Sequence, residues 1–469
     1  MSDTGIRIHS TLTKRKEPLV PGPDGVVRIY ACGPTVYSRI HIGNARPFVV
    51  FSVLKRYLDR RGYRAVLVCN LTDVNDKIYD AARREGITST EAAEKYSRAY
   101  IDDTNRLGLG RPTHEPTVTG TMPEIIRLIA DLVEKGLAYP SHGDVYYRVG
   151  SFPGYGKLSG RKLEDMRSEE PGEGKESPLD FALWKGRKPD EDAWWDSPWG
   201  PGRPGWHIEC SAMAETLLGV EFEIHGGGID LAFPHHENEI AQSEGARDRP
   251  FAKIWMHNEV LELAGEKMAK SVGNIQSLAE VLDRWPRDTV IAYFLTSHYR
   301  SKLPFSDERL EEAGKRYERV KNAVRTLSGA IAAPGEGMDP DLTKALMDGH
   351  NRFFAALDDD FNTPEAWAAL DGLVRAVNVA VEGERPSADQ LREAKRVIVE
   401  LLDVFALAPA DGDDADAGLP PEVRALADER VAARAAKDFA ASDRLRDEIA
   451  ALGFEVRDTA EGQQVRRAT

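Results

Sequence analysis

Cysteine is nearly absent from this chain. Three residues in 469, Cys32, Cys69 and Cys210, cannot make a disulfide framework. They leave buried thiols, metal ligands or a nucleophile. Long apolar runs are also missing. No stretch approaches the roughly 18–20 residues of a membrane span, and the mean hydropathy is −0.44, so no membrane partner is expected. The opening MSDTGIRIHSTLTKRKEPLV has no apolar centre of a secretory leader, and a cytoplasmic location is expected. Positive charge is in deficit: 62 Lys and Arg face 77 Asp and Glu, a net charge of −15. That balance speaks against a general nucleic-acid coat protein, though not against a binder with local basic patches. Solenoid-length repeats are absent as well. What remains is ordinary globular composition, with 41% hydrophobic residues, long enough for about three domains.

The first third alternates strands and helices. VVRIYACG (26–33) reads as a strand, followed by a Gly-Pro turn and a helix from about His41 to Arg61. AVLVCNL (65–71) reads as a second strand, and residues 91–108 and 122–135 have helical spacing. This order predicts a doubly wound parallel sheet, whose ligands bind at the strand C-termini, where Cys32 and Gly33 sit. Residues 140–205 are rich in Gly, Pro, Trp and charge and read as an insertion with little regular helix. The α/β pattern returns near Trp206. From Asp307 to Phe405 the chain reads as nearly all helix, with Thr363 as N-cap and Pro364 at the first position of one helix. An acidic Pro/Gly/Asp linker at 408–421 precedes a final module of two helices and a GFEVRDT strand. That module is almost neutral, with 9 Lys and Arg against 10 Asp and Glu in 421–469.

Three constellations carry chemistry. His41-Ile42-Gly43-Asn44 opens a predicted helix after a strand and a turn, where backbone N–H groups favour phosphate. Gly43 removes a side chain there, and His41 and Asn44 lie three apart as hydrogen-bond donors. Second, Glu266-Lys267-Met268-Ala269-Lys270-Ser271, followed by Gly273, suits a phosphate-binding loop. The third is a set of potential metal ligands: Cys32, Cys210, His235 and Glu239. PHHENEIAQ (234–242) reads as the first turns of a helix, so that His235 and Glu239 share a face and His236 points elsewhere. The long separations carry no weight by themselves, and each constellation alone is compatible with a solvated loop, a surface helix or buried thiols. Cys69, mid-strand, reads as core.

Taken together the three constellations resemble the class I aminoacyl-tRNA synthetases, and within them the cysteinyl family. The resemblance spans nearly the whole chain. It is carried by CGPTVYSRIHIGNARPF (32–48), NLTDVNDKI (70–78), RPGWHIECSAMA (203–214), IHGGGIDLAFPHHENEIAQSE (224–244), KMAKS (267–271), LDDDFNTPEA (357–366) and KDFAASDRLRDEIAALGFEVRDT (437–459). Four positions depart from the family pattern: Asn44 replaces a histidine, Ala269 a serine, Asn75 an aspartate and Val465 a tryptophan.

The resemblance implies a Rossmann-like catalytic domain at 1–125 and 205–290, and an inserted subdomain at 126–204. A stem-contact and helical bundle region follows at 291–407, then a linker at 408–420 and an anticodon-binding α+β module at 421–469. It implies one zinc ion per chain, held by Cys32, Cys210, His235 and Glu239, and substrates L-cysteine, ATP with Mg²⁺, and cysteine tRNA. Gly33, Thr72, Trp206 and His225 match cysteine contacts. His41, Gly43, Asn44 and Lys270 match ATP contacts, with Asp230 on the ribose or adenosine. His41, Asn44, Lys267 and Lys270 match the catalytic elements, and Arg434, Asp443 and Asp458 match anticodon readers. The implied reaction is adenylation of cysteine followed by acyl transfer to tRNA, by a monomer. Competing readings are a tRNA-independent cysteine ligase with a glucosaminyl-inositol acceptor and a non-catalytic tRNA-binding paralogue.

Overall fold

Four apolar segments of strand length form the central sheet of the computed structural model. It describes residues 5–166, 174–263, 266–267, 276–383, 386–407, 421–435, 438–459 and 462–467. The strands run Ala252–Asn258, Phe222–Gly228, Val26–Ala31, Arg64–Cys69 in spatial order, all parallel. Their residues are buried on both faces, as parallel strands covered by helices require. The chain leaves Val26–Ala31 through the helix Ile42–Arg60 to pair Arg64–Cys69 on one side. Phe222–Gly228 pairs it on the other side. The order reverses at Val26–Ala31, so a crevice opens beyond the C-terminal ends of these strands. Gly226 permits the close pairing of two strands there. A Cβ at this position would collide with the Met256 carbonyl oxygen and the Phe51 ring.

Residues read from the sequence as an irregular insertion form a four-stranded antiparallel sheet instead. Its order is Ala138–Ser141, Asp144–Tyr147, Phe181–Gly186, Gly202–Pro204. Its inward side chains Val145, Tyr147, Leu183 and Trp184 share one apolar core with Tyr30, Cys210, Phe222 and Trp255. Short strands broken by glycine and proline turns obscure this pattern in the sequence.

Internal contacts divide the chain into two units, one of residues 1–318, 344–373 and 404–407, the other of 319–343, 374–403 and 408–469. Helices Asp307–Ala332, Pro340–Asp358, Thr363–Glu382 and Ala388–Val404 account for the helical stretch. Thr363 begins its helix but does not cap it. The Asn362 side-chain oxygen accepts from Glu365 N at 3.3 Å, so the cap lies one residue earlier than expected. In the terminal module, helices Pro421–Ala435 and Phe439–Ala451 are followed by two strands, Phe454–Thr459 and Gly462–Arg467. The second strand is absent from the sequence reading. Val465 pairs with Val456 and is 1% exposed, packed with Val423, Ala427, Ile449 and Phe454. A branched aliphatic side chain there fills a small core.

Gly226→Ala is expected to destabilise the protein by roughly 1–3 kcal/mol, the usual range for an overpacked interior. A denaturant titration with an unchanged slope and a lower midpoint would register it.

Candidate functional site

The crevice beyond the central strands is lined by Cys32, Gly33, His41, Gly43, Asn44, Thr72, Trp206, Cys210, Asp230 and His235, among others. Each arrives by a different route. Cys32 and Gly33 follow Val26–Ala31, and Thr72 follows Arg64–Cys69. Trp206 and Cys210 belong to the helix Trp206–Leu218. Asp230 follows the three glycines that end Phe222–Gly228.

The break in this segment lies ahead of His235, so His235 and Glu239 keep the four-residue spacing of one helix face. Phe233 has extended dihedrals (φ −141°, ψ 133°) inside the turn Ala232–His236, and the regular helix begins at Glu237. The break still leaves His235 Nε2 at 3.0 Å from Glu239 Oε1. Cys32 Sγ lies 3.9 Å from Cys210 Sγ and 3.6 Å from Glu239 Oε1. Ligand atoms of Cys32, Cys210, His235 and Glu239 all lie within 4.8 Å of one another. Zinc bonds of about 2.0–2.3 Å in a tetrahedron put ligand atoms about 3.3–3.8 Å apart. Two thiols, an imidazole and a carboxylate at these separations fit that ion.

His236 does not point elsewhere, as the helical reading had it. Its Nε2 lies 3.3 Å from Cys32 Sγ, and its Nδ1 lies 2.7 Å from His257 Nε2. His257 Nδ1 in turn meets the Thr11 hydroxyl at 2.7 Å. His207 Nδ1 lies 3.0 Å from His235 Nδ1, and Trp206 stacks on the His235 ring at 4.4 Å. A ligating imidazole held through its second nitrogen is the usual way its tautomer is set. His225, expected as a substrate contact, is fully buried and absent from the crevice lining. Its Nε2 holds Glu239 Oε2 at 2.7 Å while its ring stacks on Trp255. His207, His236, His257 and Thr11 escape sequence reasoning because nothing in their spacing links them.

These contacts set the charges. Burial alone would raise the Glu239 carboxyl, but His225 and His235 outweigh it and hold it down at about 2. Burial alone would lower His235, but Glu239 and Cys210 outweigh it and hold it up at about 10. The Cys32 thiol donates to Cys210, which is brought down to about 6 against the opposing effect of burial. Cys69 is pushed up to about 12 by burial and meets the Tyr100 hydroxyl at 3.9 Å. It is an inert core thiol that reaches the crevice wall.

The helix start beside this cluster has its own logic. His41 is the N-cap of Ile42–Arg60, and its Nδ1 accepts from Asn44 N at 3.3 Å. The tautomer that accepts at Nδ1 carries its proton on Nε2, a donor suited to an anion. Gly43 serves this cap: a Cβ there would stand 2.9 Å from His41 Nδ1. Ile42 N donates to Gln276 O at 3.0 Å, and Leu278 N donates to Ile40 O at 3.0 Å. The helix start is thereby tied to the segment after the KMAKS element. Lys267 lies in the short strand Glu266–Lys267, paired with Glu262. Lys270 lies outside the described residues. Arg434 and Asp443 are exposed, and Asp443 Oδ1 lies 3.9 Å from Arg446 Nη1. Asp458 pairs with Gln463 along the terminal hairpin, and its side chain lies outside the described residues.

Residues 18–315 match the family of tRNA synthetases class I (C) catalytic domains, residues 352–408 the DALR domain, and residues 416–466 the cysteinyl-tRNA ligase anticodon binding domain. The fold is similar to a methionyl-tRNA synthetase of Mycobacterium tuberculosis in complex with methionyl-adenylate (TM-score 0.60, 15% identity, 81% of this chain and 90% of that one). It is also similar to the LeuRS of an Agrobacterium radiobacter ternary complex (TM-score 0.62, 12% identity, 83% and 85%). Parallel sheet, crevice and catalytic-domain match together define a class I aminoacyl-tRNA synthetase. The cysteine–tRNA ligase of Carboxydothermus hydrogenoformans is 44% identical over 473 residues, spanning 98% of this chain and 100% of its own. That of Halorhodospira halophila is 46% identical over 471 residues, spanning 98% and 99%. The chain belongs to the cysteine–tRNA ligase family. No helix among the described residues is long and apolar enough to cross a membrane.

The charge pattern predicts a pH dependence for chelator-treated protein. His235, raised from 6.5 to about 10, contributes stability that is complete below pH 6.5 and lost as pH rises through about 10. Glu239, lowered from 4.5 to about 2, contributes stability that is complete above pH 4.5 and lost as pH falls through about 2. Their joint contribution is therefore greatest between about pH 4.5 and 6.5. A metal competes with the His235 proton, so the Tm gap between metal-loaded and chelated samples should widen from pH 6.5 towards 10. Thermal melts across that range, with and without chelator, read this directly.

Proposed function

We propose that this enzyme activates L-cysteine with ATP to cysteinyl-adenylate and transfers the cysteinyl group to the 3′ end of cysteine tRNA, using one zinc ion per chain. The observation that carries the reading is the convergence of Cys32, Cys210, His235 and Glu239, the first three of which line the crevice that also holds the His41–Asn44 helix start. The full-length similarity to cysteine–tRNA ligases supports it. Zinc held by these four residues supplies a soft Lewis acid for a thiolate, which a hard hydroxyl satisfies poorly. Serine, nearly isosteric with cysteine, is then rejected by bond chemistry where shape alone discriminates weakly.

The chain's own groups do the rest. Gly33, Thr72 and Trp206 surround the amino acid. His41 and Asn44 donate to the triphosphate at a helix start, where backbone N–H groups and the dipole favour negative charge. Asp230 takes the ribose or adenosine. Lys267 and Lys270 neutralise the β- and γ-phosphates of Mg²⁺-bound ATP as pyrophosphate leaves. The nucleophile is the substrate carboxylate, so catalysis consists of alignment and charge stabilisation.

Residues 1–125 and 205–290 form the catalytic domain, with 126–204 as its insert and 291–407 facing the tRNA stem. The linker 408–420 leads to the anticodon-reading module 421–469. The exposed Arg434 and Asp443, with Asp458, take splayed bases there by edge hydrogen bonds.

Purified protein should catalyse cysteine-dependent ATP–pyrophosphate exchange and charge cysteine tRNA. Exchange without charging, on an intact tRNA, would favour the tRNA-independent ligase. Neither activity would favour the non-catalytic paralogue. Lys270→Ala should lower the exchange kcat by about 10²–10³ with little change in the KM for cysteine, the usual cost of one lost charge-stabilising contact. A change confined to KM would assign that lysine to ground-state binding.

Zinc content separates the cysteines. Cys210→Ser should lose the metal, measured by elemental analysis after gel filtration, and should raise the cysteine concentration needed for exchange. Cys69→Ser should keep one zinc per chain. The opposite pattern would remove Cys210 from the ligand set.

A further inference from the structure

A triphosphate brings several negative charges into the crevice, and the side chains of the helix start that would receive it offer no charge in return. His41 accepts from Asn44 N at Nδ1, and an imidazole with a bare Nδ1 is neutral. Asn44 is an amide. Among the described residues that line the crevice, only Arg39 and Lys77 carry a fixed positive charge. Lys77 opens the helix Asp76–Glu85, which follows Thr72, and its ammonium lies over the Tyr37 ring, 5.5 Å from the centroid. Arg39 belongs with the phosphate elements. Ile40 O accepts from Leu278 N at 3.0 Å, and Ile42 N donates to Gln276 O at 3.0 Å. Residues 39–42 therefore run beside the segment that follows the KMAKS element.

The Arg39 side chain is tethered without being used up. Its Nη1 donates to Asp103 Oδ1 at 3.0 Å. Asp103, from the helix Ser89–Asn105, is 2% exposed, and its Oδ2 has no hydrogen-bond partner among the described residues. The pair is thus a single bond, not the two-pronged contact a guanidinium can make with a carboxylate. A guanidinium has five N–H donors, and the Arg39 side chain is 54% exposed. An arginine held by one donor loses less side-chain freedom when an anion arrives at the others. Its planar fork suits phosphate oxygens taken two at a time.

We propose that Arg39 is a further catalytic residue, whose guanidinium contacts the β- and γ-phosphates of ATP and stabilises the charge that gathers there as pyrophosphate leaves. This rests on the reading of the crevice as an adenylation site. As an oxygen of the substrate carboxylate bonds to the α-phosphorus, the bond from that phosphorus to the α–β bridging oxygen breaks. The electron pair of that bond stays on pyrophosphate. A cation beside the helix start meets this charge with a group that belongs to neither the His41–Asn44 nor the KMAKS element.

The test is cysteine-dependent pyrophosphate exchange on metal-assayed protein. Arg39→Met keeps the length of the side chain and removes its charge. It should lower kcat/KM for ATP and for pyrophosphate roughly 10–100-fold, the usual cost of one hydrogen bond to a charged group. The KM for cysteine should stay within about twofold, since the amino acid meets other residues. A sulfamoyl analogue of cysteinyl-adenylate has both halves of the adenylate and no β- or γ-phosphate. Its inhibition constant should also stay within about twofold, which a merely structural role of Arg39 would not allow. Arg39→Lys, which keeps the charge, should recover part of the loss. Should Arg39→Met unfold because Asp103 loses its partner, the double variant Arg39→Met/Asp103→Asn replaces it and should show the same split. Equal weakening of ATP, pyrophosphate and the analogue, a change in none of them, or an Arg39→Lys defect equal to that of Arg39→Met would overturn the proposal. Failure of the unaltered protein to exchange pyrophosphate with cysteine would instead overturn the reading on which it rests.

Discussion

A carboxylate with no solvent exposure, Glu239, lies beside Cys32 and His235 of this protein's crevice. Taking such a charge out of water costs several kcal/mol unless its oxygens are filled by strong partners. Here one oxygen faces His225 and the other His235, with Cys32 beside it. Much of the surrounding architecture follows from this requirement. The strand Phe222–Gly228 delivers His225, and the four-residue helical spacing brings His235 to Glu239. The antiparallel insert closes the apolar core around Cys210. A single buried charge thus ties together segments that lie far apart along the chain.

The second constraint is a backbone one. The helix start at His41 and the segment at Gln276–Leu278, which follows the KMAKS element, exchange main-chain hydrogen bonds and so meet at fixed register. Main-chain pairing of this kind is insensitive to the side chains involved. The cap at His41 needs only a ring nitrogen over Asn44 N and a residue without Cβ at position 43. Asn44 contributes its backbone to that cap, which is why a family position usually held by histidine accepts asparagine without loss of the turn.

Local signals made the parallel strands, the helix start after the Gly-Pro turn and the long terminal helices legible in the sequence. Strand and helix periods survive without tertiary knowledge. The four candidate ligands could be picked out by residue type, but the resemblance gave the set its weight, because Cys32 and Cys210 stand 178 residues apart and carry no spacing signal. His236 was misread because a residue three before Glu239 shares its helix face as well as one four before it, and the pair stands 4.0 Å apart. The strands of the insert, whose lack of regular helix was read from the sequence, went unrecognised for a related reason. Its strands are three to six residues long, and their apolar partners lie in another layer.

The chain of Thr11, His257, His236 and Cys32 has a consequence for the two sulfurs. As a metal ligand Cys32 would be a thiolate and could only accept, so His236 would then donate from Nε2 and accept at Nδ1. His257 must repeat the pattern, with the Thr11 hydroxyl supplying the last proton. Every dipole in the row then points at one sulfur. Electron density drawn from Cys32 along this row makes it the weaker electron donor of the pair, and Cys210 the stronger. Two side chains of the same chemical type are thereby made electronically unequal, and the asymmetry originates at a threonine near the beginning of the chain.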